Sequence, residues 1–119
     1  MSKLIYLASP YSHPNPATRQ LRFDMVCEFA ARLASDGKIV FCPIAHTHPL
    51  EKYGLPRDWD FWQRFDQPFM DRCDELIVLC LPGWKDSTGV TDEILQFKKA
   101  GKPVSFEYYD HEVLSHAIH

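Results

Sequence analysis

The sequence has no long apolar run, no basic tract, no paired-cysteine motif and few glycines, and each absence removes a class of function. Without an apolar block of roughly 18 residues or more, no membrane-spanning helix is expected. Lys and Arg total 13 against 16 Asp and Glu, a formal net charge of −3. The bases are not interleaved with aromatics in a patch, so a nucleic-acid polymer is not the expected partner. Cys27, Cys42, Cys73 and Cys80 lack Cys-x-x-Cys spacing and sit in apolar surroundings. They read as small core residues in a reducing compartment, not as a metal knuckle or a disulfide framework. The 5 glycines form neither a dinucleotide fingerprint nor a Walker loop. No leader precedes the first strand, so a cytoplasmic location is expected. At 119 residues the chain accommodates one domain with a real core.

What is present is a βαβ grammar. The apolar block Leu76–Leu81 is too short for a helix and shows no alternation, so it reads as a strand buried on both faces. Pro82-Gly83-Trp84 turns the chain, and Ser87-Thr88-Gly89 opens a helix ending near Ala100-Gly101. Upstream, Leu4–Ala8 reads as a first strand and Lys38–Cys42 as a second. Between them a helix starts near Pro16, carries Leu21, Met25, Phe29 and Leu33 at four-residue spacing, and stops at Asp36-Gly37. Pro43 to Arg57, with His46, His48, Pro49, Gly54 and Pro56, reads as an irregular lid. Asp58 to Cys73 is expected to be helical but kinked or split near Gln67 by Pro68. Val104–Glu107 is a fourth strand and Asp110–Ile118 a short terminal helix. The expected fold is a single Rossmann-like or flavodoxin-like α/β domain. Its four-stranded parallel sheet has the order 2-1-3-4, with helices on both faces.

Two carboxylates fall where apolar residues belong. Glu93 lies three residues after Val90 and four before Phe97, on the sheet-facing side of its helix. Asp66 lies four after Trp62 and three before Phe69. Burying a carboxylate is costly unless it is paired or hydrogen-bonded. Glu93 could be a structural acid, and Asp66 could cap a helix beginning at Gln67. His46-x-His48 could offer two metal ligands, but no third is evident, so a metal is not expected and lid contacts to a ligand are the better reading. Ser87-Thr88-Gly89 at a helix N-terminus could hold a phosphate. Trp59, Trp62 and Trp84 could stack on a base, although aromatics in small domains more often pack in the core.

Several motifs taken together resemble the nucleoside 2-deoxyribosyltransferase superfamily. They are Ile5-Tyr6-Leu7-Ala8-Ser9-Pro10-Tyr11, an Asp eight residues before the Cys73-Asp74 that opens a strand, and Ser87-x-Gly89-x-x-x-Glu93. Trp59-x-x-Trp62 and Leu81-Pro82-Gly83-Trp84 point to an uncharacterised bacterial and phage branch of it. The resemblance covers nearly all of residues 1–119 as a single such domain. It implies Glu93 as nucleophile, Asp66 as the acid assisting at the nucleobase and Tyr6 as the phenol orienting the nucleophile. Substrate contacts would come from Ser9, Tyr11, His46, His48, Trp62, Ser87 and Gly89. The chain departs from the glycosidase branch at Pro10-Tyr11-Ser12-His13, where that branch has a glycine-rich turn with arginine.

The implied function is cleavage or exchange of an N-glycosidic bond in a nucleoside or nucleoside 5′-monophosphate, by a hydrolase or 2-deoxyribosyltransferase that requires no cofactor. The partner is then a small molecule, not a membrane, and relatives of this kind assemble as homodimers or homotetramers. The competing expectation is a non-catalytic module that senses a nucleotide or an NAD-like ligand.

Overall fold

Four parallel strands carry the molecule. In the computed structural model, which describes residues 2–108, they are β1 (Leu4–Ala8), β2 (Ile39–Phe41), β3 (Glu75–Leu79) and β4 (Val104–Glu107). Their order is β2-β1-β3-β4, and every pair is parallel. The expected fold and strand order are found. The chain moves outward from β1 to β2 in one direction and from β3 to β4 in the other. The β1/β3 junction is therefore the topological switch point, beyond whose carboxyl ends a crevice opens in such sheets.

The period-2 alternation of the strands assigns each side chain to a layer. Ile5 and Leu7 of β1, with Ile77 and Leu79 of β3, pack beneath α1 (Pro16–Ser35), against Met25, Val26 and Leu33. Tyr6 and Ala8, with Leu76 and Val78, face the other way. They meet Met70 of α3 (Trp59–Arg72) and Val90 and Phe97 of α4 (Thr88–Lys99). Local chemistry sets the helix limits. Asn15 caps α1 by accepting from the Ala17 N–H at 2.9 Å, with Pro16 in the first turn. Gly37 leaves that helix at φ +85°, a conformation that favours glycine.

Three expectations need correction or limits. The segment from Pro43 is not irregular: it forms α2 (Pro43–Thr47) and then a 3-10 helix over His48–Tyr53. Pro43 and Pro49 both sit in first helical turns, where a missing N–H costs nothing, so they start helices here. Nor does Pro68 split α3, which is continuous from Trp59 to Arg72. Its N-cap is Asp58, which accepts from the Phe61 N–H at 3.2 Å. Asp66 is thus mid-helix and not a cap. The terminal helix expected over Asp110–Ile118 lies outside the described residues. Among the described residues no helix is long and apolar enough to cross a membrane.

Candidate functional site

The crevice at the switch point is a cleft of about 530 Å³, within the range of small-molecule sites. Ala8 and Ser9 at the end of β1 form part of its floor, with Asp66 of α3 and Glu93 of α4. The rim comes from the turn after β1, from α2 with the 3-10 segment, and from the N-termini of α3 and α4.

Glu93 and Asp66 are 5% and 4% exposed, so both periodicity readings hold and both acids are buried. No cationic side chain pairs with either among the described residues. Burial pushes the Glu93 carboxyl up to about 8; the Tyr6 hydroxyl counters this, while the charge of Asp66 adds to it. Burial likewise raises Asp66 to about 7, again against an opposing effect of Tyr6. Near neutrality the two groups therefore retain protons that a solvated carboxyl would have lost. Tyr6 is itself fully buried, and burial followed by the charge of Glu93 holds its phenol well above the usual range. Its ring is fixed between Phe41 and Phe97, with centroids 5.9 and 5.6 Å away. The hydroxyl is near enough to influence both acids, yet it makes no well-aligned hydrogen bond, and Asp66 Oδ1 has no partner either. Buried polar atoms are rarely left this way outside functional sites.

The structure gathers most of the sequence-expected residues and separates two. Ser9, Tyr11, Trp62, Ser87 and Gly89 line the cleft with Asp66 and Glu93. Ser9 is buried with its hydroxyl unpartnered, whereas the Ser87 hydroxyl caps α4 by accepting from the Val90 N–H at 3.2 Å. His46 and His48 lie on helical, not extended, backbone and face different neighbours. His46 is exposed and stacks on Phe65, while His48 stacks on Phe23 and contacts the Tyr11 hydroxyl and Gln20. Neither is among the lining residues.

Sequence reasoning missed a hub at Glu51. This carboxylate accepts from the Tyr11 hydroxyl at 2.8 Å and is ion-paired with Arg19 Nε at 2.7 Å and with Arg57 at 3.5 Å. The Arg19 Nε contact is a charge pairing without hydrogen-bond alignment, and a second Arg19 nitrogen donates to the His13 carbonyl. Partial burial alone would raise Glu51, but the Tyr11 bond and the Arg19 charge hold it below the usual range. The hub ties α1 to the 3-10 segment and braces that wall of the cleft. A signal existed in the sequence: Arg19 shares a seven-residue spacing with buried Val26 and Leu33, so it needed a carboxylate from elsewhere. Trp59, one of the tryptophans read as able to stack on a base, lines the cleft as well. Its Nε1 donates to Asp92 at 3.1 Å, and its ring lies so close to Gly89 that a Cβ there would meet it at 3.2 Å.

Fold and site together define a parallel α/β domain with two buried acids facing a switch-point cleft. The chain belongs to the family described as a domain of unknown function, DUF1937, whose model matches residues 3–109. A search of curated proteins found no match.

Proposed function

We propose that this protein cleaves or exchanges the N-glycosidic bond of a nucleoside or nucleoside 5′-monophosphate, as a nucleoside deoxyribosyltransferase-like domain. One observation carries the reading. Two acids with no cationic partner among the described residues, Glu93 and Asp66, are buried together with a phenol at the foot of an open cleft. Structural economy would have made these positions apolar. In the proposed reaction, ionised Glu93 attacks the anomeric carbon. The electron pair of the breaking C–N bond passes to the base, which takes a proton from Asp66. Water or a second base then attacks the glycosyl ester and releases Glu93. The Tyr6 hydroxyl, close enough to act on Glu93, would orient the carboxylate once it is ionised, and the aromatic wall of the cleft limits the access of water.

The test is release of free base from a panel of nucleosides and 5′-monophosphates, with added base as acceptor in a second series. Glu93-dependent base release is the expected result. Binding without release by any compound would replace this reading with that of a ligand-sensing module.

Assembly is part of the proposal. Phe65 and Phe69 of α3 are 37% and 39% exposed, neighbouring aromatic residues on one helix. A second copy covering this face would make a homodimer or homotetramer, and the cytoplasm is the proposed setting. Light scattering at micromolar concentration is expected to report more than a monomer, and a monomer mass would remove this element of the reading.

A further inference from the structure

The charge around the cleft is strongly one-sided. Six of its lining side chains carry carboxyls and one, Arg57, is basic. Arg57 is already directed to Glu51 at 3.5 Å. At the rim Asp60 and Asp86 are exposed, and their carboxylates have neither a hydrogen bond nor an ion pair among the described residues. Asp58 spends one oxygen on its own helix cap. Interleaved with these acids are the rings of Tyr11, Trp59 and Trp62, whose π faces attract cations.

An acidic cluster alone would say little, but the floor adds an independent observation. Asp66 Oδ1 and the Ser9 hydroxyl are buried, line the cleft and lack any partner. Among the described residues no side chain supplies the positive charge that two buried carboxyls call for. A phosphate would meet the opposite environment. The N-terminus of α4 offers it a half-charge dipole, but Asp86 stands immediately before that terminus and Glu51 already holds the nearby arginines.

We propose that the ligand of this cleft is a glycoside whose aglycone is a positively charged nitrogen heterocycle and whose sugar carries no phosphate. This deepens the glycosidic reading above and rests on it. The chemistry is consistent with the acid pair. In such a substrate the C–N electron pair neutralises the departing heterocycle, so the leaving group requires no proton. A carboxylate or water forms the new C–O bond. With water as acceptor the products are neutral heterocycle, free sugar and one proton. Only one ionised carboxyl is needed.

The experiment uses three ligands of one shape: nicotinamide riboside, its neutral C-glycoside isostere benzamide riboside, and nicotinamide riboside 5′-monophosphate. Calorimetric titration of the full chain is expected to give at least ~10-fold tighter binding of the pyridinium riboside than of either other ligand, with the margin shrinking as salt is added. Asp60→Asn combined with Asp86→Asn, both at exposed positions, is expected to erase most of that margin without a change in fold by circular dichroism. Equal affinity for the pyridinium riboside and its isostere, tighter binding of the monophosphate, or no binding of any of the three overturns the inference. The two readings fail separately. Glu93-dependent base release from neutral nucleosides without a cation preference overturns this inference and leaves the glycosidic reading standing. A clear cation preference with no glycoside cleaved supports the cation site and removes the reaction.

Discussion

Glu93→Gln is expected to lower base release by at least ~3 orders of magnitude, the scale of losing a covalent nucleophile, while leaving a folded protein. The substitution keeps the shape of a residue that is 5% exposed at the floor of the cleft. It removes both the charge and the nucleophilic oxygen. The folding outcome follows from what faces the group. Burial, the Tyr6 phenol and the charges of Asp66 and Asp92 act on Glu93, and among the described residues no cation does. Had Glu93 been held by a buried arginine or lysine, breaking the pair would cost about 3–5 kcal/mol. With none there, the neutral amide is expected to leave stability unchanged or to raise it by about 0.5–2 kcal/mol above pH 8. Base-release assays and thermal melts on the two proteins check both halves. A large fall in melting temperature would make Glu93 a structural acid and end its catalytic assignment.

The second large effect is an inverted dependence of stability on pH. Glu93 and Asp66 ionise near 8 and 7 in the fold, against ordinary values near 4.5 and 3.8. Between pH ~4 and ~8 the native state therefore keeps protons that the unfolded chain has released. Stability from these groups is fully present below pH ~4 and is lost as pH rises through the folded values, with a slope of up to about 1.4 kcal/mol per unit for each group. Glu51 acts in the other direction: its lowered value adds stability above the ordinary carboxyl range and loses it in acid. Denaturant melts between pH 5 and pH 9 are expected to show wild-type stability falling with pH, less steeply in Glu93→Gln and nearly flat when Asp66→Asn is added. The two proteins should differ least near pH 5, where Glu93 is already neutral. A wild-type profile that rises across this range would mean that the two acids are ionised and compensated in the fold, and the site description would be wrong.

The reaction inherits the same constraint. If ionised Glu93 is the nucleophile, ligand-free protein near neutrality holds only part of its population in the competent state. A bound cation at the cleft would increase that fraction by favouring the charged carboxylate. Substrate charge and nucleophile activation would then be linked through one electrostatic term.

The amino-acid sequence by itself determined the layers of this protein. Uninterrupted apolar runs at β1 and β3, proline at the helix starts and glycine at a helix end are local signals, and local signals specify strands, helices and their order. The same periodicity exposed Glu93 and Asp66, because a charged residue on an apolar face is visible in one dimension. Only the tertiary structure decided what surrounds them. That no cation among the described residues faces them depends on which elements pack over α3 and α4, and spacing along a chain carries no such information. The order that α2 and the 3-10 helix impose on Pro43–Tyr53 was hidden because their prolines read as breakers until their first-turn positions were known. His46 and His48 parted for the same reason: two residues along an extended chain point together, but along helical backbone they do not. Glu51 meets Arg19 across 32 positions (51 − 19) and Tyr11 across 40, distances at which sequence can announce a buried charge but not its partner.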